Sequence, residues 1–225
     1  MGTFVELTAK DGHTLGAYEA KPAGIPRGGL VVIQEIFGVN PHIRWVVDGY
    51  AADGYHAIAP AIFDRRERGV ELEYGGADTD KARSLRRAIS DEEFLADIAA
   101  ALDRVKSAGK VGIVGYCLGG SLAWLSAARV PGFSAAIGYY GGQIASMLDE
   151  KPKCPVMLHF GETDPSIPPA DTAKVKAALE PAGNPVFVYP GAGHAFNRYG
   201  NKAWHEESAV LARDRTVKFL QENVG

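Results

Sequence analysis

Short apolar runs recur along this chain, with polar or helically patterned stretches between them. Residues 30–33, 57–59, 111–114, 135–139, 156–160 and 186–189 are each brief and dominated by apolar side chains. That is the pattern of strands buried on both faces. Upstream, residues 4–8 and 15–19 flank Lys10-Asp11-Gly12-His13, which predicts a hairpin and an antiparallel edge. The 3.6-residue spacing of the intervening segments predicts helices over 41–52, 79–88, 91–107, 118–129, 170–179 and 202–222. Strand and helix in alternation imply an α/β protein with a mainly parallel central sheet and helices on both faces. Residues 60–78 interrupt the alternation with Asp64-Arg65-Arg66-Glu67-Arg68, several glycines and scattered apolar positions. This stretch is expected to be an excursion above the sheet edge, where loops commonly border active sites.

Composition narrows the class of partner. With 225 residues, 46% hydrophobic and 23% charged, and with no repeat or linker dividing it, the chain is expected to form one domain over 1–225. A formal net charge of −3 leaves no basic surplus to hold nucleic acid or an anionic membrane, so a small-molecule substrate is expected. The first fifteen residues lack the basic and apolar regions of a signal peptide, and no run approaches the ~18 apolar residues of a membrane span. The expected location is cytoplasmic. Two cysteines, Cys117 and Cys154, are too few for a disulfide framework. His205-Glu206-Glu207 is adjacent rather than helically spaced, and neither Cys-x-x-Cys nor His-Glu-x-x-His occurs, so no metal and no cofactor are expected.

The chemistry concentrates where Lys110 to Ser121 runs from a buried strand into a predicted helix through Gly115-Tyr116-Cys117-Leu118-Gly119. This spacing is that of a nucleophile elbow carrying cysteine in place of serine. A sharp strand-to-helix turn brings backbone so close that side chains at 115 and 119 would collide, and Gly120 extends the clearance. Free N–H groups and the macrodipole at the helix N-terminus favour a thiolate there. A merely buried structural cysteine would need no such spacing.

A cysteine nucleophile needs a base, and His194 in Pro190-Gly191-Ala192-Gly193-His194-Ala195-Phe196 follows a strand among glycines that can carry it over the sheet edge. His13, His42, His56, His159 and His205 lack this setting. Asp164, just beyond another strand in Phe160-Gly161-Glu162-Thr163-Asp164-Pro165, is the candidate to orient the imidazole, with Glu162 its nearest rival. The chain order of nucleophile, acid and histidine is that of the α/β-hydrolase triad. Oxyanion donors are expected from the Leu118 N–H and from an amide at Ile36 or Phe37, with Gly38 easing that turn. Glu35, at the end of the same strand, reads equally as a solvated acid or as a paired one.

Taken together, Gln-Glu-Ile-Phe-Gly-Val-Asn at 34–40, Gly-Tyr-Cys-Leu-Gly-Gly at 115–120 and Gly-His-Ala-Phe at 193–196 resemble the dienelactone hydrolase family. The likeness extends over nearly the whole chain, including Asp-Gly-His-Thr at 11–14 and Tyr-Tyr-Gly at 139–141. It implies an α/β-hydrolase fold and a carboxymethylenebutenolidase-like activity, the opening of dienelactone to maleylacetate in chloroaromatic breakdown. It further implies that Glu35 is the glutamate that contacts the catalytic thiol and helps generate its thiolate when substrate binds. Arginines hold the substrate carboxylate in that family, and Arg198 matches one of them. Threonine stands at 79, where the second is expected, which leaves Arg83, one helical turn on, as its candidate replacement; Arg83, Arg86 and Arg87 share a helix face. Ala195 replaces a hydroxyl residue sometimes found after the catalytic histidine.

The function expected is hydrolysis of dienelactone-like lactones or activated enol esters through a cysteinyl acyl-enzyme. Sulfur bears on substrate choice, because a tetrahedral intermediate expels its better leaving group and a thiolate leaves more readily than a simple alkoxide. Broader carboxylesterase or thioesterase activity on the same machinery is the alternative. A non-catalytic binding module and a thiol redox sensor are the readings from other classes; oligomeric state is not legible.

Overall fold

The computed structural model describes residues 1–225. A hairpin of β1 (Thr3–Thr8) and β2 (Thr14–Ala20) opens the chain, and β3 (Gly29–Ile33), β4 (His56–Pro60), β5 (Val111–Tyr116), β6 (Phe133–Tyr139), β7 (Val156–Gly161) and β8 (Val186–Tyr189) follow. They form one eight-stranded sheet in the order β1-β2-β4-β3-β5-β6-β7-β8. The β1–β2 and β2–β4 pairings are antiparallel, and every pairing from β4 to β8 is parallel.

Every residue of β3, β5 and β7 is buried. Successive strand side chains point to opposite faces, so unbroken burial requires cover on both. The cover comes from α1 (Pro41–Ala52), α2 (Gly76–Ala88), α3 (Asp91–Val105), α4 (Leu118–Arg129), α5 (Pro169–Leu179) and α6 (Glu206–Asn223). Asn40 caps α1 by accepting the Ile43 amide at 3.2 Å, with Pro41 at its first position. A reciprocal capping box of Ser90 and Glu93 starts α3. No helix is long and apolar enough to cross a membrane.

Strand positions and order of elements follow the hydrophobic pattern, while several helix ends do not. Helix α2 starts three residues before position 79. Helix α3 stops at Val105 because residues 106–108 tighten into a 3₁₀ turn. Helix α6 begins at Glu206, not at 202, because Asn201 closes its own turn: its Oδ1 accepts the Ala203 amide at 3.0 Å and its carbonyl the Trp204 amide at 2.9 Å. Residues 61–75 form the expected excursion. Asp64 holds it down, accepting the Gly16 and Gly69 amides at 2.8 and 2.9 Å. This sheet, with its parallel strands and a strand-to-helix turn after β5, is the α/β-hydrolase fold.

Candidate active site

The turn between β5 and α4 places Cys117 at φ 55°, ψ −112°. A non-glycine residue in this region stores strain of about 1–3 kcal/mol, so the surroundings must enforce it. They do so through backbone. The Cys117 amide donates to the Tyr139 carbonyl at 3.0 Å, and the Gly119 amide to the Gln34 carbonyl at 3.1 Å, which ties the elbow to β6 and β3. A Cβ on Gly115 would lie 1.9 Å from the Gly119 oxygen, and one on Gly119 would lie 2.3 Å from the Ile33 oxygen. Both glycines are therefore required by close approach, as their spacing implies.

Two loops bring the remaining polar groups over the same sheet edge. His194 lies after β8, with Nδ1 2.7 Å from Oδ2 of buried Asp164, which follows β7. The other Asp164 oxygen accepts the Ser166 amide at 2.8 Å, so the carboxylate is fixed at both ends. Glu162 plays a different part: its Oε2 accepts the Gly191 amide at 3.0 Å and braces the histidine loop from outside. Thr163 adds a second stitch, its amide donating to the Ala192 carbonyl at 2.9 Å.

Burial alone would push the His194 imidazole down. The hydrogen bond to Asp164, together with the neighbouring Cys117 sulfur, outweighs burial and holds the ring up to about 10. With Nδ1 taken by Asp164, Nε2 is the nitrogen left for the sulfur. The arrangement can move a proton between sulfur and imidazole and hold the resulting imidazolium.

A cavity of about 550 Å³ opens above the elbow, lined among others by Ile36, Phe37, Cys117, Leu118, His194 and Arg198. Leu118 begins α4, where an amide has no intrahelical acceptor. The amides of Ile36 and Phe37 likewise make no hydrogen bond within the protein.

Glu35 and Arg198 are paired with each other. Glu35 makes no hydrogen bond to Cys117. Both of its oxygens accept from Arg198, Nε to Oε2 and Nη2 to Oε1, each at 3.0 Å. Both side chains are buried, and a buried charge without a partner costs several kcal/mol, so a bidentate pair is the arrangement burial demands. The Arg198 guanidinium also lies 3.8 Å from the centre of the Tyr74 ring. Burial and the neighbouring Glu35 charge push the Tyr74 phenol up to about 12.

Arg83 lines the cavity from α2 and is exposed there; Arg86 lines it too, but Arg87 does not. Two aromatic residues escape the sequence pattern. Tyr74 sits in the irregular excursion, where no periodicity marks it. Tyr140 follows β6 at φ 40°, packs its ring 5.1 Å from that of His194, and buries a hydroxyl with no partner. Positive φ cannot be read from a tyrosine in a sequence. No three His, Cys, Asp or Glu side chains gather as a candidate metal site.

The dienelactone hydrolase family model matches residues 15–224. A carboxymethylenebutenolidase of Pseudomonas putida is 35% identical over 227 residues, covering 96% of this chain and 94% of its own. Carboxymethylenebutenolidase 1 of Cupriavidus pinatubonensis is 30% identical, covering 96% and 95%. Among solved structures, one assigned to a dienelactone hydrolase of Klebsiella pneumoniae superimposes with a TM-score of 0.82 at 31% identity, over 96% of this chain and 98% of that one. A dienelactone-hydrolase-like promiscuous phosphotriesterase from metagenomic libraries shares the fold alone, at TM-score 0.77 and 19% identity over 100% and 99%. The elbow, the loops above it and these likenesses over almost the full length agree: the chain belongs to the dienelactone hydrolase family and is a hydrolase.

Proposed function

We propose that residues 1–225 act as one catalytic unit that hydrolyses dienelactone-like lactones or activated enol esters through an acyl-cysteine. The observation that carries this reading is an imidazole held 2.7 Å from a buried carboxylate and lining the same cavity as the elbow cysteine. Cys117 is the nucleophile, His194 the base and then the acid, and Asp164 the group that fixes its tautomer. The Cys117 thiolate attacks the substrate carbonyl carbon; a C–S bond forms and the carbonyl π pair moves onto oxygen. The Leu118 amide and that of Ile36 or Phe37 stabilise this oxyanion. Its collapse breaks the C–O bond and releases an enolate, which takes the His194 proton. Water, deprotonated by His194, then attacks the thioester, and the C–S bond breaks to return the thiolate.

Arg198 is the inner contact for a substrate carboxylate, which would compete with Glu35 for the same fork; Glu35, so released, is the group beside the thiol that helps form its thiolate. Arg83 is the second anion contact. No cofactor enters these steps. A dienelactone substrate would place the enzyme in the degradation of aromatic compounds, in the cytoplasm.

Turnover of a panel holding dienelactone, an aryl ester, an alkyl ester and a thioester tests the reading. Fast opening of the lactone with slow alkyl ester cleavage supports it. Comparable rates across the panel would favour the broader carboxylesterase or thioesterase. The thiol-sensor alternative loses ground on geometry: Cys117 follows the C-terminal end of β5 and Cys154 precedes the N-terminal end of β7, in parallel strands of six residues. At about 3.3 Å per residue the two lie far beyond the ~7 Å a disulfide can span.

A further inference from the structure

A second pocket opens between α1 and α6 and shares no lining residue with the cavity above the elbow. Its volume of about 380 Å³ lies within the ~300–1,000 Å³ usual for pockets that enclose small ligands. Trp45 and Gly49 reach it from α1, Ala209 and Arg213 from α6, and Trp204 from the turn before α6. The room is left by small residues. Gly49 lies inside α1, where glycine costs stability relative to alanine, and no close contact requires it: a Cβ there would meet nothing nearer than Arg213 Nη2 at 3.9 Å.

Its walls are aromatic and its polar groups are unsatisfied. Trp45 stacks on Tyr199 with ring centres 5.2 Å apart, and Tyr199 meets Trp204 edge-on at 5.3 Å. Asn197, which also lines the pocket, is only 6% exposed, yet its side-chain amide makes no hydrogen bond within the protein. Arg213 pairs with Asp53 through Nη2 and lays its guanidinium 4.0 Å from the centre of the Tyr50 ring, but its buried Nη1 has no acceptor. The hydroxyls of Tyr50 and of Tyr116, another lining residue, share one hydrogen bond at 3.1 Å, which leaves one of their two hydrogens without an acceptor. The pocket is thus short of acceptors. Its charge has the opposite sign to that of the elbow cavity: Asp53 and Asp214 line it against Arg213 alone, whereas no aspartate or glutamate lines the other. A carboxylate is therefore opposed here.

We propose that this pocket is a second binding site, for a neutral aromatic molecule bearing a carbonyl oxygen, such as an aryl amide. The ring packs against the two indoles, and the carbonyl accepts from the Asn197 amide, whose own oxygen can take an N–H in return. Tyr116 and Asn197 directly precede Cys117 and Arg198, so the occupant rests against the chain segments that carry the nucleophile and the buried guanidinium. Binding here depends on no step of the hydrolysis.

The test titrates the intact protein with benzamide and with benzoate, which share size and shape and differ in charge, and follows the three indole N–H signals by NMR. Benzamide should move the signals of Trp45 and Trp204 and leave that of Trp124, which is buried on α4 and bonded to the Met147 carbonyl at 3.0 Å. At those two signals its Kd should be at least ~10-fold lower than that of benzoate. Gly49→Leu fills the pocket and favours the helix, so benzamide should bind ~10-fold or more weakly with no fall in Tm. Asn197→Leu keeps the size of the side chain and removes its amide, and should weaken binding ~3 to 10-fold. Alkylating Cys117 with iodoacetamide obstructs the other cavity and should leave the benzamide Kd unchanged. Benzoate binding as tightly as benzamide, a Kd indifferent to Gly49→Leu, or binding lost on alkylation overturns the site. Should Gly49→Leu lower Tm, Asn197→Leu decides, and a benzamide Kd that it leaves unchanged rejects the proposal.

Discussion

The floor and the mouth of the cavity above the elbow are built on opposite principles. At the floor, every polar group is held: Cys117 is pinned through its own amide and that of Gly119, Asp164 is fixed at both oxygens, and Glu35 and Arg198 occupy each other fully. At the mouth, Arg83 and Lys202 are exposed, one with a weak partner and the other with none. Attack on a carbonyl needs atoms held to fractions of an ångström, which strand ends, a helix start and loops stitched to them provide. Recognition of a remote charge tolerates a swinging side chain. Chemistry and choice of substrate should therefore respond separately to mutation.

Breaking the floor at its centre should have the largest effect. Cys117→Ala removes the sulfur proposed to attack, with little change of volume, and kcat should fall at least about 10³-fold while thermal unfolding is unchanged. Mass spectrometry of wild type stopped during turnover should find the acyl adduct on Cys117; an adduct on Cys154 would sink the assignment.

Asp164→Asn should cost ~10² to 10⁴-fold in kcat with little change in KM, because an amide cannot stabilise the imidazolium and can hold the wrong tautomer. It should also move the pH profile. His194 is raised to about 10, so its proton is present at neutral pH and lost as pH rises through that value; the alkaline limb of kcat/KM should lie near there. The same sign applies to stability. What the raised ring contributes is complete below its unfolded value of ~6.5 and vanishes as pH climbs through 10. Removing the Asp164 charge should pull the limb down, and a limb that stays in place would show that Asp164 is not what raises the ring. His159 sharpens the point. It is fully buried where His194 is half-buried, its nitrogens meet the hydroxyls of Tyr189 and Thr216 at 2.8 and 3.1 Å, and burial pushes it down to about 3. The Asp164 carboxylate overcomes burial at His194, and His159 has no such partner.

Arg198→Met should lower stability by about 3–5 kcal/mol in denaturant unfolding, because Glu35 is left buried and unpaired. Adding Glu35→Gln should recover most of that loss, since the uncompensated charge goes. In that double variant, KM for a carboxylated lactone should rise ~10 to 100-fold and for a neutral aryl ester hardly at all. Equal losses for both substrates would remove Arg198 from substrate binding. The smallest effect is expected from Glu162→Gln, within about threefold in kcat, since the amide oxygen can still accept from Gly191. If Glu162→Gln proved worse than Asp164→Asn, the acid would have been misassigned.

Much of this site is legible in the chain because its requirements are local. Gly115 and Gly119 flank Cys117 at a spacing fixed by backbone contact, and His194 and Asp164 lie just past apolar runs that can only be strands. Such features need only a few consecutive residues to be read. The start of α6 was misplaced because Asn201 satisfies its turn with its own side chain, a choice that hydrophobic periodicity does not record.

What the sequence by itself determined is the order of strands and helices, the elbow and the identity of the groups at the strand ends, since each follows from short-range sterics and burial. Only the tertiary structure decided how the charged groups are shared. Residues 35 and 198 lie 163 positions apart, and nothing local announces that their side chains fill each other's hydrogen bonds. Nor does the chain show that Tyr74 supports Arg198, that Glu162 braces a loop rather than the imidazole, or that Lys202 is left free at the mouth. Ion pairing inside a fold is settled by which distant groups arrive in the same low-dielectric space, and that is known only once the sheet has brought its loops together.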